Sequence, residues 1–94
     1  MSNDIVQTAY NMLSRREHGA YELLQKLQNK GFDSSKIDDV IVKLQNSDLQ
    51  SDSRFADCVF RNRVNRGYGW LYIANELRQK KISDGIITNL LKNH

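Results

Sequence analysis

RFADCVFRNRVNRGYGWLYIANELRQKKI, residues 54–82, is the stretch whose reading decides the fold. Plotted at 100° per residue, Phe55, Ala56, Val59, Phe60 and Val64 share one broad arc, with Arg54, Cys58, Arg61 and Asn65 opposite. That pattern predicts an amphipathic helix with Arg54 and Arg61 solvated. Arg63 falls inside the apolar arc. A guanidinium buried without a partner is very costly, so Arg63 must reach past the helix end or pair, and Glu76 is the obvious partner. Gly67-Tyr68-Gly69 then turns the chain. A second helix over about residues 70–80 buries Trp70, Ile73, Ala74 and Leu77 and ends in Arg78, Lys80 and Lys81.

Working outward, apolar residues recur at helical spacing along the whole chain, with no sustained period-two alternation. Asn3 or Asp4 caps a first helix that uses Ile5, Ala9 and Leu13 and stops near residues 15–19, where Gly19 breaks the pattern. A second helix over about residues 20–29 turns Leu23, Leu24 and Leu27 inward; Gly31 closes it as a left-handed C-cap. Ser34 or Ser35 caps a third, with Ile37, Val40, Ile41 and Leu44 inward and Asp38 and Asp39 in its first turn. Residues 46–48 end it, Leu49 anchors the link, and Asp52 or Ser53 starts the fourth. Beyond residue 82, Ser83 or Asp84 caps a sixth helix with Ile86, Ile87, Leu90 and Leu91 inward. The expected fold is all-α, about six short helices without a flexible linker.

The two halves superimpose at one offset of 50 residues without a gap. Ile5 pairs with Phe55, Ala9 with Val59, Leu23 with Ile73 and Leu27 with Leu77; Ile37, Val40 and Ile41 pair with Ile87, Leu90 and Leu91. Arg16 with Arg66 and Gly19 with Gly69 lie outside the apolar stripe, which any two amphipathic helices would share by chance. The expectation is therefore two tandem three-helix modules, residues 1–48 and 49–94 of one continuous helical domain, and repeats of this kind present surfaces to large partners.

At 94 residues, there is room for one domain at most. No apolar run approaches the roughly 20 residues of a membrane span, and residues 1–11 lack the features of a signal peptide. The single cysteine, Cys58, forms no internal disulfide, so the expected location is cytoplasmic. Net charge is +3. Between residues 54 and 81 there are seven Lys or Arg against two Asp or Glu, whereas residues 1–53 hold six against eight. A basic stretch of this kind favours an acidic partner, although one basic face is also common in small proteins.

Catalytic patterns are missing. His18 sits in an expected loop and His94 is terminal, so neither makes a nucleophile–base pair with Cys58. There is no CxxC, HExxH or EF-hand spacing, and RGYGW lacks the third glycine and the preceding strand of a dinucleotide site. The expectation is a binding protein without enzyme activity, cofactor or metal. Arg54, Arg61, Arg66, Arg78, Lys80 and Lys81 suit phosphates or an acidic surface, with Tyr68 and Trp70 available for stacking. Trp70, with apolar neighbours three, four and seven residues on, reads as core; Tyr68 between two glycines is open between core and contact.

YNMLSRREHGAYELLQKLQNKGFDSSKIDDVIVKLQNSDLQSDSRFA, from Tyr10, is similar to the start of RecX regulatory proteins, and R-x-x-x-GYG followed by I-x-x-EL-x-x-K-x-I resembles that family's best-marked motif. The motif positions here are Arg54, Phe55, Arg63, Gly67, Tyr68, Gly69, Ile73, Glu76, Leu77, Lys80 and Ile82. The resemblance implies an elongated array of three-helix modules crossing at right angles. It also implies a negative regulator of RecA that binds the RecA filament on single-stranded DNA and acts in recombination, DNA repair and the SOS response. Trp70 and Lys81 stand where the family commonly has proline and glycine. The chain ends after two modules where the family generally has three, so the resemblance is to a two-module or truncated form. Two other readings fit the residues: a helical module binding nucleic acid directly, and a scaffold for another acidic protein.

Overall fold

The structure, a computed structural model, describes residues 4–93; Asn3 and His94 lie outside them. Six helices follow in order, α1 Ile5–Arg15, α2 Ala20–Asn29, α3 Ser34–Asn46, α4 Asp52–Asn65, α5 Trp70–Gln79 and α6 Asp84–Asn93. Among the described residues there is no strand, so the chain is all-α, in tandem three-helix modules. It divides into two compact units, one running to Ser51 and one from Asp52.

Helices of 10 to 14 residues are marginal alone, so each unit depends on burying three apolar stripes against one another. In the first unit Ala9, Leu23, Leu27, Ile37, Val40, Ile41 and Leu44 form the core. In the second it is Phe55, Ala56, Val59, Ile73, Ala74, Leu77, Ile82, Ile87 and Leu90. The 50-residue pairing holds for Ala9 with Val59, Leu23 with Ile73, Leu27 with Leu77, Ile37 with Ile87 and Val40 with Leu90. It fails at Ile41 and Leu91, which are 8% and 56% exposed. Leu91, like the unexpectedly exposed Val64, sits in the last turn of its helix, past the covered part of the stripe.

Four helices end in the same device. In α2, Phe32 N–H donates to the Leu27 carbonyl (3.2 Å) and Gly31 N–H to that of Gln28 (2.9 Å). The same pair of bonds recurs at Asp48 and Leu49 after α3, at Gly67 and Tyr68 after α4, and at Lys81 and Ile82 after α5. This is the Schellman arrangement, which satisfies orphan carbonyls and needs one residue in the left-handed region. The only positive-φ residues described are those four: Gly31 (95°), Asp48 (61°), Gly67 (90°) and Lys81 (62°). A Cβ at Gly31 or Gly67 would touch nothing, so glycine is favoured there by torsion alone. Lys81 adopts the conformation without glycine, at a typical cost of about 1–2 kcal/mol. Trp70 occupies the first helical position of α5, where proline is well suited; here the indole packs against the core instead.

Several local expectations are corrected. Asp33 rather than Ser34 or Ser35 is the cap residue of α3, and the helix starts early enough to place Asp38 and Asp39 in its second turn. α1 stops at Arg15, within the expected range, and Gly19 in the connection precedes α2 as its N-cap in extended conformation. Leu49 does not anchor the link between α3 and α4, being 42% exposed, whereas Gln50 is buried. Its Nε2 donates to the His18 carbonyl (3.0 Å) and its Oε1 accepts from Gln45 (2.9 Å). His18 is buried as well. Its Nδ1 lies 3.0 Å from the Arg16 carbonyl and its Nε2 3.0 Å from Lys26 Nζ. Lys26 has only protons to offer, which assigns a neutral ring with the hydrogen on Nδ1.

Two predictions concern stability. Lys81→Gly removes the left-handed penalty and stabilises the protein by about 1 kcal/mol in urea unfolding; a loss of stability would show that the side chain's own contacts outweigh the strain. Burial and then the neighbouring cations hold the His18 pKa below its ordinary 6.5, against the opposing pull of the Arg16 carbonyl. The unfolded chain therefore takes up this proton first. The stability tied to His18 is complete above pH 6.5 and declines as pH falls from there towards the lower folded pKa. The urea midpoint falls between pH 7 and 5, and His18→Gln flattens that dependence.

Candidate partner-binding surface

Three contacts set α5 against α4. Arg63 grips Glu76 with two parallel hydrogen bonds, Nε to Oε1 at 2.7 Å and Nη2 to Oε2 at 2.6 Å, while Nη1 donates to Asn62 (2.6 Å). Both side chains are largely shielded, at 25% and 16% exposure. This fork-to-fork geometry resolves the arginine in the apolar arc with the partner expected for it. Nearer the turn, Trp70 meets Phe60 edge-on with ring centroids 5.9 Å apart. At the far end Lys80 Nζ sits over the Phe55 ring at 5.8 Å, within cation–π range. Phe55, Ile73, Leu77 and Ile82 of the motif are buried.

With that side of α5 committed to α4 and the core, the opposite arc carries Leu71, Tyr72, Asn75, Arg78 and Gln79, all exposed. Tyr68, at the turn, stacks on Tyr72 with centroids 4.3 Å apart and planes at 12°. Tyr68 is thus neither core nor an isolated ring. Leu71 is 77% exposed, and Val64, Tyr68 and Tyr72 are also open. A stacked, exposed aromatic pair with exposed aliphatic side chains close to it in the chain is the make-up of an interaction site.

The basic residues separate into groups. Arg66 is exposed at the turn beside this patch. Arg78 is exposed at the other end of α5, bonded to Asn75 (3.2 Å) and 3.7 Å from Asp84. Arg61 is exposed but ion-paired with Asp57 (2.6 Å). Arg54, expected to be solvated, is half-buried, as is Lys80; Lys81 is exposed in the turn that follows. The ten-residue α5 is about 15 Å long, so Arg66 and the cluster at residues 78–81 flank the aromatic patch and do not converge on one point. Leu71 and Tyr72 were overlooked in the sequence; their signal was an aliphatic–aromatic pair on the arc opposite Ile73 and Leu77.

The first unit lacks this surface. At the equivalent positions Ser14, His18, Tyr21 and Glu22 replace Val64, Tyr68, Leu71 and Tyr72. His18 is buried there, and Glu22 is paired with Arg16 at 2.6 Å. Truncating Arg63 leaves Glu76 shielded and unpaired, so Arg63→Ala lowers stability by about 1–3 kcal/mol and Arg63→Lys, which cannot form the fork, recovers only part of it. Unchanged melting of Arg63→Ala would place the guanidinium outside the fold's support.

Among the described residues no group of side chains has the make-up of a metal site, and no helix is long and apolar enough to cross a membrane. Residues 6–44 match the family model described as the first three-helix domain of RecX, and residues 51–91 match that of its second three-helix domain. A protein named Regulatory protein RecX from Halorhodospira halophila is 40% identical over 91 residues, 97% of this chain and 56% of its own length. One of the same name from Haemophilus influenzae is 44% identical over 82 residues, 86% of this chain and 54% of its own; one from Legionella pneumophila is 38% identical over 84 residues, 89% of this chain and 56% of its own. This chain therefore spans a little over half the length of these relatives. Six helices in two modules, each matched by its own domain of that family, establish that the chain belongs to the RecX family of regulatory proteins.

Proposed function

We propose that this chain is a regulatory binding protein that docks on the RecA filament assembled on single-stranded DNA and restrains RecA, acting in the cytoplasm in recombination and DNA repair. Family membership supports a regulatory role, and the family resemblance supplies RecA as the partner. The observation that carries the reading is the stacked Tyr68–Tyr72 pair with Leu71 and Val64, exposed on the second unit, whereas the first unit has the buried His18 and the ion-paired Glu22 at the positions of the two rings. Rigid aromatic anchors with basic neighbours are what hot spots of protein interfaces are made of. In this reading Arg66, Tyr68, Leu71, Tyr72 and Arg78 make the central contact. Arg54, Arg61, Lys80 and Lys81 add longer-range attraction to an acidic filament, which weakens with salt. The chain acts by binding and brings no cofactor or catalytic group.

The test is RecA ATPase on single-stranded DNA with and without this chain, beside its binding to naked DNA. Inhibition is expected, and Tyr68→Ser with Tyr72→Ser raises the concentration needed by tenfold or more while melting changes little, since both rings are exposed. Unchanged ATPase with tight naked-DNA binding would overturn the proposal in favour of a stand-alone nucleic-acid module. No effect in either assay favours a scaffold for another protein.

A further inference from the structure

The residues before 54 are acidic on balance, yet the structure gathers half of their cations in one place. An open groove of about 660 Å³ between α1 and α2 is lined by Thr8, Asn11, Met12 and Arg15 from one helix and Lys26, Asn29 and Lys30 from the other. Every lining side chain except Met12 is a cation, an amide or a hydroxyl, and no carboxylate faces it. Among the described residues none of Arg15, Lys26 and Lys30 is ion-paired; Lys26 is held by the neutral His18 ring, a partner that leaves its charge uncompensated. Basic last turns suit each helix dipole separately. The dipole does not account for three cations and two side-chain amides converging on one groove while Asp33, Asp38, Asp39 and Asp48 lie elsewhere.

We propose that this groove is a binding site for the phosphodiester backbone of single-stranded nucleic acid. Its α1 edge, from Thr8 to Arg15, runs about 10 Å, and the groove presents three cations, Arg15 on that edge and Lys26 and Lys30 on the other. The side-chain amides of Asn11 and Asn29 add donors suited to phosphate oxygens. No aromatic ring lines it, so it holds backbone and does not read bases. In the second unit the position of Lys26 is held by Glu76, a carboxylate engaged by Arg63. This site acts on DNA directly and does not rest on the RecA reading.

The experiment therefore omits RecA. Oligo-dT and oligo-dA are titrated into the isotope-labelled chain, followed by amide shifts and by the salt dependence of affinity. Shifts at Thr8, Asn11, Arg15 and residues 26–30 with equal affinity for both sequences are expected. Arg15→Gln with Lys30→Gln, both exposed, lowers affinity at least tenfold and reduces the logarithmic salt slope by about 1.4, with the amide spectrum otherwise preserved. Undiminished affinity in that variant, shifts confined to the second unit, equal binding of polyglutamate, or a response to inorganic phosphate without tighter oligonucleotide binding would each overturn the assignment.

Discussion

The Arg63–Glu76 pair is the constraint on which the second unit depends. An arginine in the middle of an apolar arc permits packing of α4 on α5 only if a carboxylate reaches it with both oxygens. Once it does, α5 has one allowed rotation, with Ile73, Ala74 and Leu77 inward. Leu71 and Tyr72 then have nowhere to go but outward. The same interaction that completes the scaffold thus exposes the surface assigned to a partner.

The first unit follows the same helical plan with a different polar solution. Leu13 and Lys26 stand where Arg63 and Glu76 do, so no fork is available. His18 instead ties the connection before α2 to Lys26, and its carbonyl ties that connection to Gln50 after α3. The Arg16–Glu22 pair closes the face that corresponds to Arg66 and Tyr72. What the two units share is apolar spacing and the left-handed helix ending. What differs is which polar groups are satisfied internally, and that difference leaves the stacked Tyr68–Tyr72 pair exposed on one unit and an uncompensated basic groove on the other.

Most of the fold was legible because short amphipathic helices announce themselves by period, and the repeat at 50 residues checks each stripe against another. The Arg63–Glu76 pairing was legible for a sharper reason: a buried cation demands a partner, and few carboxylates lie nearby in the chain. The buried Gln50 and His18 were hidden because neither residue type signals burial, and their bonds run to backbone carbonyls or across long separations. Positions at helix ends misled in the other direction. Val64 and Leu91 continue the apolar period beyond the part of the stripe that neighbouring helices cover. The basic groove was invisible in the charge balance, since summing along a chain discards which face each residue occupies.

The central claim is that the α5 arc opposite the core is where this chain meets its partner. Amide hydrogen exchange of the chain, free and on RecA filaments formed on single-stranded DNA, tests it most directly. The account predicts added protection concentrated in residues 67–75, with little change at the corresponding residues 17–25 of the first unit. Unaltered exchange across residues 67–75 in a chain that is demonstrably filament-bound would contradict it.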